Sequence, residues 1–217
     1  MLGSFRVIVD GIPVEDSRWT RRQPKQMVKL LALQPHARLH REQAMEFLWP
    51  EEDQESASNN LHRTIHLARR ALEPRLKTGA DSRFILTREE QLLLRSPGRL
   101  WIDAHIFERK AIDALKSNEP ADYEAALSLY QDDLLAEDPY EDLAARPRER
   151  LFDLWRNLLV RLAAILETQR HYDRGIEYLK KVLIRNLSDE EAHRHLMRLY
   201  ALSGSKNKAL AQYKLCC

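Results

Sequence analysis

A mainly α-helical chain with a small β component, built from two unlike halves, is what the 217-residue sequence predicts. Three observations carry this. In the first hundred residues, short β-branched runs bracket three helical stripes. A shift of 34 residues superimposes the last third of the chain on itself. Residues 1–100 hold 17 Lys and Arg against 13 Asp and Glu, a net of +4; residues 101–217 hold 18 against 20, a net of −2. The positive half tilts toward an anionic partner.

The first elements are short. Phe5–Val9 and Ile12–Val14 flank Asp10-Gly11 and read as two strands around a tight turn, with Pro13 at an edge. Arg21–Leu33 then changes to helical period, with Met27, Leu30 and Leu31 on one stripe and Gln34-Pro35 stopping it. Arg41–Leu48 is a second helix, with Ala44, Phe47 and Leu48 inward and Trp49-Pro50 closing it. Pro50–Ala57 reads as an acidic loop.

The third helix, Ser58–Leu72, is two-faced. Leu61, Ile65, Ala68 and Leu72 recur at steps of 4, 3 and 4. So do Asn59, Arg63, His66 and Arg70, about 160° around the helix. His62 and Arg69 flank this polar stripe, and no acid occurs between Ala57 and Leu72. One side packs on a core while the other offers amide, imidazole and guanidinium donors. Arg83–Arg88 and Gln91–Arg95 then form a hairpin across Glu89-Glu90. Strands, three helices and a hairpin, in that order, predict a winged helix-turn-helix.

The second half reads as an all-α repeat. The 34-residue shift carries Leu162 to Leu196, Ala163 to Met197, Leu166 to Tyr200, Gly175 to Ala209, Leu179 to Tyr213 and Val182 to Cys216. This is tetratricopeptide spacing, in which small residues permit close helix approach. Phe107–Leu115 and Tyr123–Tyr130 suggest an earlier, degenerate pair. Asp132–Pro147 reads as a connection and Arg148–Thr168 as a long helix, with Trp155 in its core. The expected division is 1–100 and 101–217, with the array either cut short inside its last helix at Cys216-Cys217 or capped by that end itself.

These residues resemble the bacterial transcriptional activators of the antibiotic-regulatory type, in which a response-regulator-like winged helix precedes a tetratricopeptide-containing bacterial transcriptional activator domain. The stretches that carry the resemblance are Phe5-Arg6-Val7 through Asp10-Gly11, Leu39–Gln43 through Leu48-Trp49-Pro50, and Asn59–His66 with Arg69–Leu72. Asp103, Phe107 and Glu108, and Leu196–Tyr200, add to it. The resemblance implies sequence-specific binding of double-stranded DNA near promoters, a homodimer on direct-repeat sites, and activation through contact with RNA polymerase. It makes Ser58–Leu72 the recognition helix and Arg83–Arg95 the wing, with Asn59, Asn60, His62, Arg63, His66, Arg69, Arg70, Arg83 and Arg88 as DNA-binding residues. Two departures stand out. His40 occupies the helix-cap position where the family often has Ser or Thr, and Asp81–Phe84 replaces a Gly-Tyr pair in the wing.

Several function classes drop out. There is no phosphate-binding loop or nucleophile elbow, and the His62/His66 pair lacks the intervening Glu of a zinc hydrolase. The only cysteines are adjacent and terminal, which excludes a disulfide framework and a cysteine zinc site. A non-enzyme without cofactor or metal is expected. With no apolar run long enough for a membrane span and no secretory signal, it is expected in the cytoplasm, associated with the nucleoid. The alternative class is a protein-interaction scaffold whose winged helix does not bind DNA.

Overall fold

The computed structural model describes residues 1–77, 79–140 and 142–216; Cys217 and the side chain of Cys216 lie outside the described residues. The backbone divides into two compact units. The first comprises Gly3–Ile102, with Met1, and Glu137–Ala144; the second comprises Leu2, Asp103–Ala136 and the chain from Ala145 onward.

In the first unit, β1 (Ile8–Val9) and β2 (Ile12–Pro13) pair antiparallel, and Val14 N–H donates to the Val7 carbonyl at 2.8 Å. Asp10 and Gly11 have φ of 51° and 82°. Positive φ at both central positions is what a type I′ hairpin turn demands, and Asp-Gly supplies it cheaply. Helix α1 (Arg22–Leu33) follows, then β3 (Arg38–His40), α2 (Arg41–Leu48), α3 (Gln54–Leu72), β4 (Ile85–Arg88) and β5 (Gln91–Leu94). The second sheet has the order β3-β5-β4, antiparallel throughout. Mainly helical with a small winged-helix-like β component is the observed class of this unit.

Strand β3 was not foreseen. Arg38-Leu39-His40 is too short a run for its polar-apolar-polar alternation to signal a strand, and it is extended where Leu39 pairs with Leu92. Helix α3 begins four residues before the expected Ser58. Asp53 Oδ1 accepts from the backbone N–H groups of Glu55 and Ser56, both at 3.0 Å, and caps it there. The Ser56 N–H is the main reason the Asp53 carboxyl sits below the usual carboxylate range.

The expected core stripe is buried. Leu61, Ile65, Ala68 and Leu72 are all below a tenth exposed, as are Met27, Leu30 and Leu31 of α1. Helix α1 packs on α3, and α2 packs on both. On α2 the expected Phe47 is only half-buried and Met45 is buried instead. A buried cation completes this unit. Lys29, 3% exposed, is ion-paired with Asp138, and Glu137 lies 3.9 Å away. Glu137 also accepts from Phe5 N–H at 3.2 Å. The connection expected to serve only the second half therefore contributes Glu137–Ala144 to the first.

The second unit is all-helical: α4 (Asp103–Ser117), α5 (Pro120–Leu127), most of α6 (Asp142–Thr168), α7 (Tyr172–Arg185), α8 (Glu190–Leu202) and α9 (Lys206–Cys216). Helix α6 starts before the expected Arg148, carrying Pro147 inside it. As the sixth residue of the helix, Pro147 lies past the first turn and removes one i→i−4 backbone hydrogen bond from it. Trp155 is core, as expected: it is 7% exposed and stacks on Tyr130 at 5.5 Å, while Phe107 meets Tyr130 at 5.0 Å. Burial pushes the Tyr130 hydroxyl far above its ordinary range, and its hydrogen bond to Asp133 adds to this.

The repeat spacing has a direct structural meaning at Gly175. A Cβ there would sit 2.8 Å from Leu199 Cδ1 and 3.4 Å from the Ala163 carbonyl oxygen. A methyl group there would make ordinary contact with the α6 backbone but would require the Leu199 side chain of α8 to shift, so the small residue keeps the three helices close. Arg156 braces the same helices, donating from Nε and Nη2 to Asp189 at 2.5 and 2.8 Å. Asp189 also caps α8 through the Ala192 N–H at 3.0 Å.

Two outcomes follow from this packing. Ile65→Ala should lower stability by roughly 2–5 kcal/mol, whereas exposed Arg63→Ala should cost under about 0.5 kcal/mol; denaturant unfolding of both variants reads the difference, and equal losses would refute the face assignment. The Arg156 hydrogen bonds hold the Asp189 carboxyl below its ordinary value. A depressed folded pKa contributes stability above the unfolded value of about 3.9, and this is lost as pH falls through the lower, folded pKa. Asp189→Ala should therefore cost about 1–3 kcal/mol at pH 7, and the gap to the parent should close below about pH 4. Unfolding curves across that pH range check it; a gap independent of pH would show that the carboxylate charge is not what stabilises the array.

Candidate nucleic-acid interface

Helix α3 is 19 residues long, and its buried side fixes its rotation. That rotation turns Asn59, Arg63, His66 and Arg70 outward, all exposed. Among the described residues, these four side chains make no hydrogen bond or ion pair. An exposed row of donors in the acid-free run from Ser56 to Leu72 is a positive, hydrogen-bonding ridge.

The other sequence-predicted residues are more committed. Asn60 donates to Glu52 at 2.6 Å. Arg69, half-buried, donates through Nε to the Ile85 carbonyl at 3.0 Å and ties α3 to β4. Arg83 meets Glu73 at 3.2 Å and Asp10 at 3.5 Å, and its guanidinium lies 5.0 Å from the Phe84 ring. Arg88 is exposed and pairs in register with Gln91, itself opposite His40. Strand alternation puts these three on the sheet face opposite buried Leu39, Ile85 and Leu92. His62 is exposed but lies 3.4 Å from Arg41 through Nε2.

Arg41 is the residue that sequence reasoning missed. Its Nη2 donates to Ser58 Oγ at 3.0 Å, its Nε lies 3.2 Å from Glu90 Oε2, and its backbone N–H donates to the Glu90 carbonyl at 2.8 Å. One side chain thus joins α2, α3 and the hairpin tip. Nothing in its sequence position signals this, since Ser58 and Glu90 are 17 and 49 residues away. His40 does the work of the Ser or Thr cap: its Nδ1 accepts from Glu42 N–H at 3.3 Å, and Gln43 Oε1 accepts from His40 N–H at 3.3 Å.

The wing tip is acidic and strained. Glu89 and Glu90 have φ of 45° and 63°, left-handed values that L-residues adopt at a cost of about 1–2 kcal/mol each. The Arg41 contacts to Glu90 offset part of that. Beside the first turn of α3, Glu42, Asp53, Glu55 and Glu90 line a hollow of about 580 Å³ together with Arg41. Among the described residues, no group of three His, Cys, Asp or Glu is placed to hold a metal ion. No helix there is long and apolar enough to cross a membrane.

Residues 102–217, more than half of the chain, match the family model for the bacterial transcriptional activator domain. The chain belongs to that family, which is regulatory and not catalytic. A solved structure of Mycobacterium tuberculosis EmbR in complex with a low-affinity phosphopeptide shares the fold, with a TM-score of 0.76 at 17% identity. The likeness covers 99% of this chain and 57% of that one, so the chain spans little more than half the length of EmbR. No curated protein matches the chain.

The strained tip has a measurable consequence. Glu89→Asn places a residue that tolerates the left-handed region at φ 45° and should raise stability by roughly 0.5–1 kcal/mol. Denaturant midpoints check this; a loss of stability would mean that Glu89 makes a compensating contact.

Proposed function

We propose that the protein is a sequence-specific, double-stranded-DNA-binding transcriptional regulator that reads the major groove with the outward stripe of α3. The exposure of Asn59, Arg63, His66 and Arg70 together, with no intramolecular partner among the described residues, carries this reading. Arg and Asn are the side chains that pair bidentately with guanine and adenine edges, and a helix fits the groove. Arg88 and the flanking His62 add positive or donor groups. Asn60, Arg69 and Arg83 act at the interface by shaping it, since each holds an intramolecular bond. Family membership supports activation, which we assign to contact of the helical array with RNA polymerase, with protomers paired on direct repeats. The DNA-binding part is assigned to residues 1–100 and the activator part to 101–217, with Glu137–Ala144 needed by the first to neutralise Lys29.

One observation favours the alternative, a scaffold that does not bind DNA: the four carboxylates beside the first turn of α3 repel phosphate. Asn59 lines the same hollow, so phosphate contact is assigned to the span from Arg63 to Arg70. The full chain, titrated by fluorescence anisotropy against a site selected from a random pool, separates the readings. Arg63→Ala should cost roughly 1–3 kcal/mol and relax base preference at one position. Arg70→Ala should weaken all sequences alike and lower the log–log salt slope by about one. No selectable site, or unchanged curves for both variants, would favour the scaffold.

A further inference from the structure

The hairpin of β4 and β5 ends level with its sheet. In the last row Arg88 pairs with Gln91, and Gln91 pairs with His40 of β3. Strand β3 stops at that row, and α2 begins with the next residue, Arg41. Beyond the row the hairpin has only Glu89 and Glu90. A two-residue turn carries the backbone one residue rise, about 3.3 Å, past the sheet. The minor groove of duplex DNA is about 7.5 Å deep. The side chains left to span the difference are two carboxylates, which the phosphates flanking the groove repel. Arg88, the outward cation of the hairpin, stands on the sheet face and not at its end.

The tip is also tied back. Arg41 Nε lies 3.2 Å from Glu90 Oε2, and the Arg41 backbone N–H donates to the Glu90 carbonyl at 2.8 Å. From the same side chain, Nη2 donates to Ser58 Oγ at 3.0 Å and lies 3.4 Å from His62 Nε2. Ser58 is in the second turn of α3, directly before Asn59, where the outward stripe begins. The Arg41 side chain is only 20% exposed, and its Nε and Nη2 face protein groups.

We propose that Arg41 is a positioning residue for base recognition: it braces α3 against the hairpin tip, and DNA sequence is read through the major groove alone. The inference rests on the DNA-binding reading above. Arg41 acts through Ser58, fixing where the start of the stripe stands relative to the sheet. The hairpin is a strut for α3 and does not probe the minor groove.

The test uses the full chain, a duplex selected from a random pool, and fluorescence anisotropy. Inosine·cytosine pairs separate the grooves. Inosine lacks the exocyclic amino group of guanine, so an I·C pair offers the major-groove edge of G·C and the minor-groove edge of A·T. Each A·T pair of the site is replaced in turn by G·C and by I·C. The two replacements should weaken binding alike at every position, roughly tenfold where the stripe reads a base. Exchange of G·C for I·C should leave Kd unchanged. A position that rejects G·C yet accepts I·C is read in the minor groove and overturns the proposal.

Arg41→Gln should lower the ratio of affinities for selected and random duplex about tenfold while leaving the log–log salt slope unchanged. Glu90→Gln removes the charge from the other side of the same link. It should lower the ratio as well, although it takes a carboxylate away from DNA. The Glu90 side chain is 59% exposed, so this variant folds and keeps the test open if Arg41→Gln does not. A salt slope reduced by about one in Arg41→Gln would make Arg41 a phosphate contact. That result, or an unchanged ratio in either variant, overturns the proposal and leaves the DNA reading standing. Failure to select any site overturns the DNA reading and this inference with it.

Discussion

One helix must be apolar on one side and unpaired on the other, and the first unit is arranged around that requirement. The buried side of α3 carries Leu61, Ile65, Ala68 and Leu72, and the helices α1 and α2 close over it. Burying a large aliphatic side chain contributes roughly 1.5–3 kcal/mol, enough to set the helix rotation against any preference of the polar side. The same rotation leaves Asn59, Arg63, His66 and Arg70 in solvent. Asp53 starts the helix early, and Arg69 and Arg41 lock its flanks to β4 and to the hairpin tip. The open stripe is a by-product of the core, held in place by neighbours that have used their own hydrogen-bonding capacity.

Lys29 shows how the first unit depends on chain from outside its own sequence block. A cation this buried costs several kcal/mol unless an anion accompanies it. Asp138 and Glu137 provide that charge from more than a hundred residues downstream. The ammonium also lies 5.2 Å from the Phe5 ring. The physical boundary of the unit is set by this neutralisation. A cut at residue 100 would leave the lysine uncompensated in an apolar setting.

In the helical array the governing quantity is distance between helix axes. At Gly175 the α6 backbone lies within ordinary contact distance of α7, and Leu199 of α8 fills the space a side chain would have taken. Arg156 and Arg185 then cross-link helices with charge: Arg185 pairs with Asp132 and Asp133 and lies 5.1 Å from the Trp155 ring. Neighbouring helices in such a stack bury one another as much as their own sequences do, as α7 and α8 show where Leu179 and Leu199 are both fully buried.

Periodicity alone determined which side of α3 is core and which is open, the hairpins at Asp10-Gly11 and Glu89-Glu90, and the 34-residue unit. These are local: they follow from 100° per helical residue, two-residue strand alternation and turn chemistry. Strand β3, the burial of Met45 in place of Phe47, the Arg41 clamp and the pairing of Lys29 were decided only in three dimensions. Each depends on partners distant in sequence, and periodicity carries no record of which distant group will arrive. The nine expected interface residues divide on the same line. The exposure of the four on the stripe opposite the core was legible because geometry within one helix sets it. The intramolecular bonds of Asn60, Arg69 and Arg83 were not, because they depend on Glu52, Ile85 and Glu73, which only the folded chain brings within hydrogen-bonding reach.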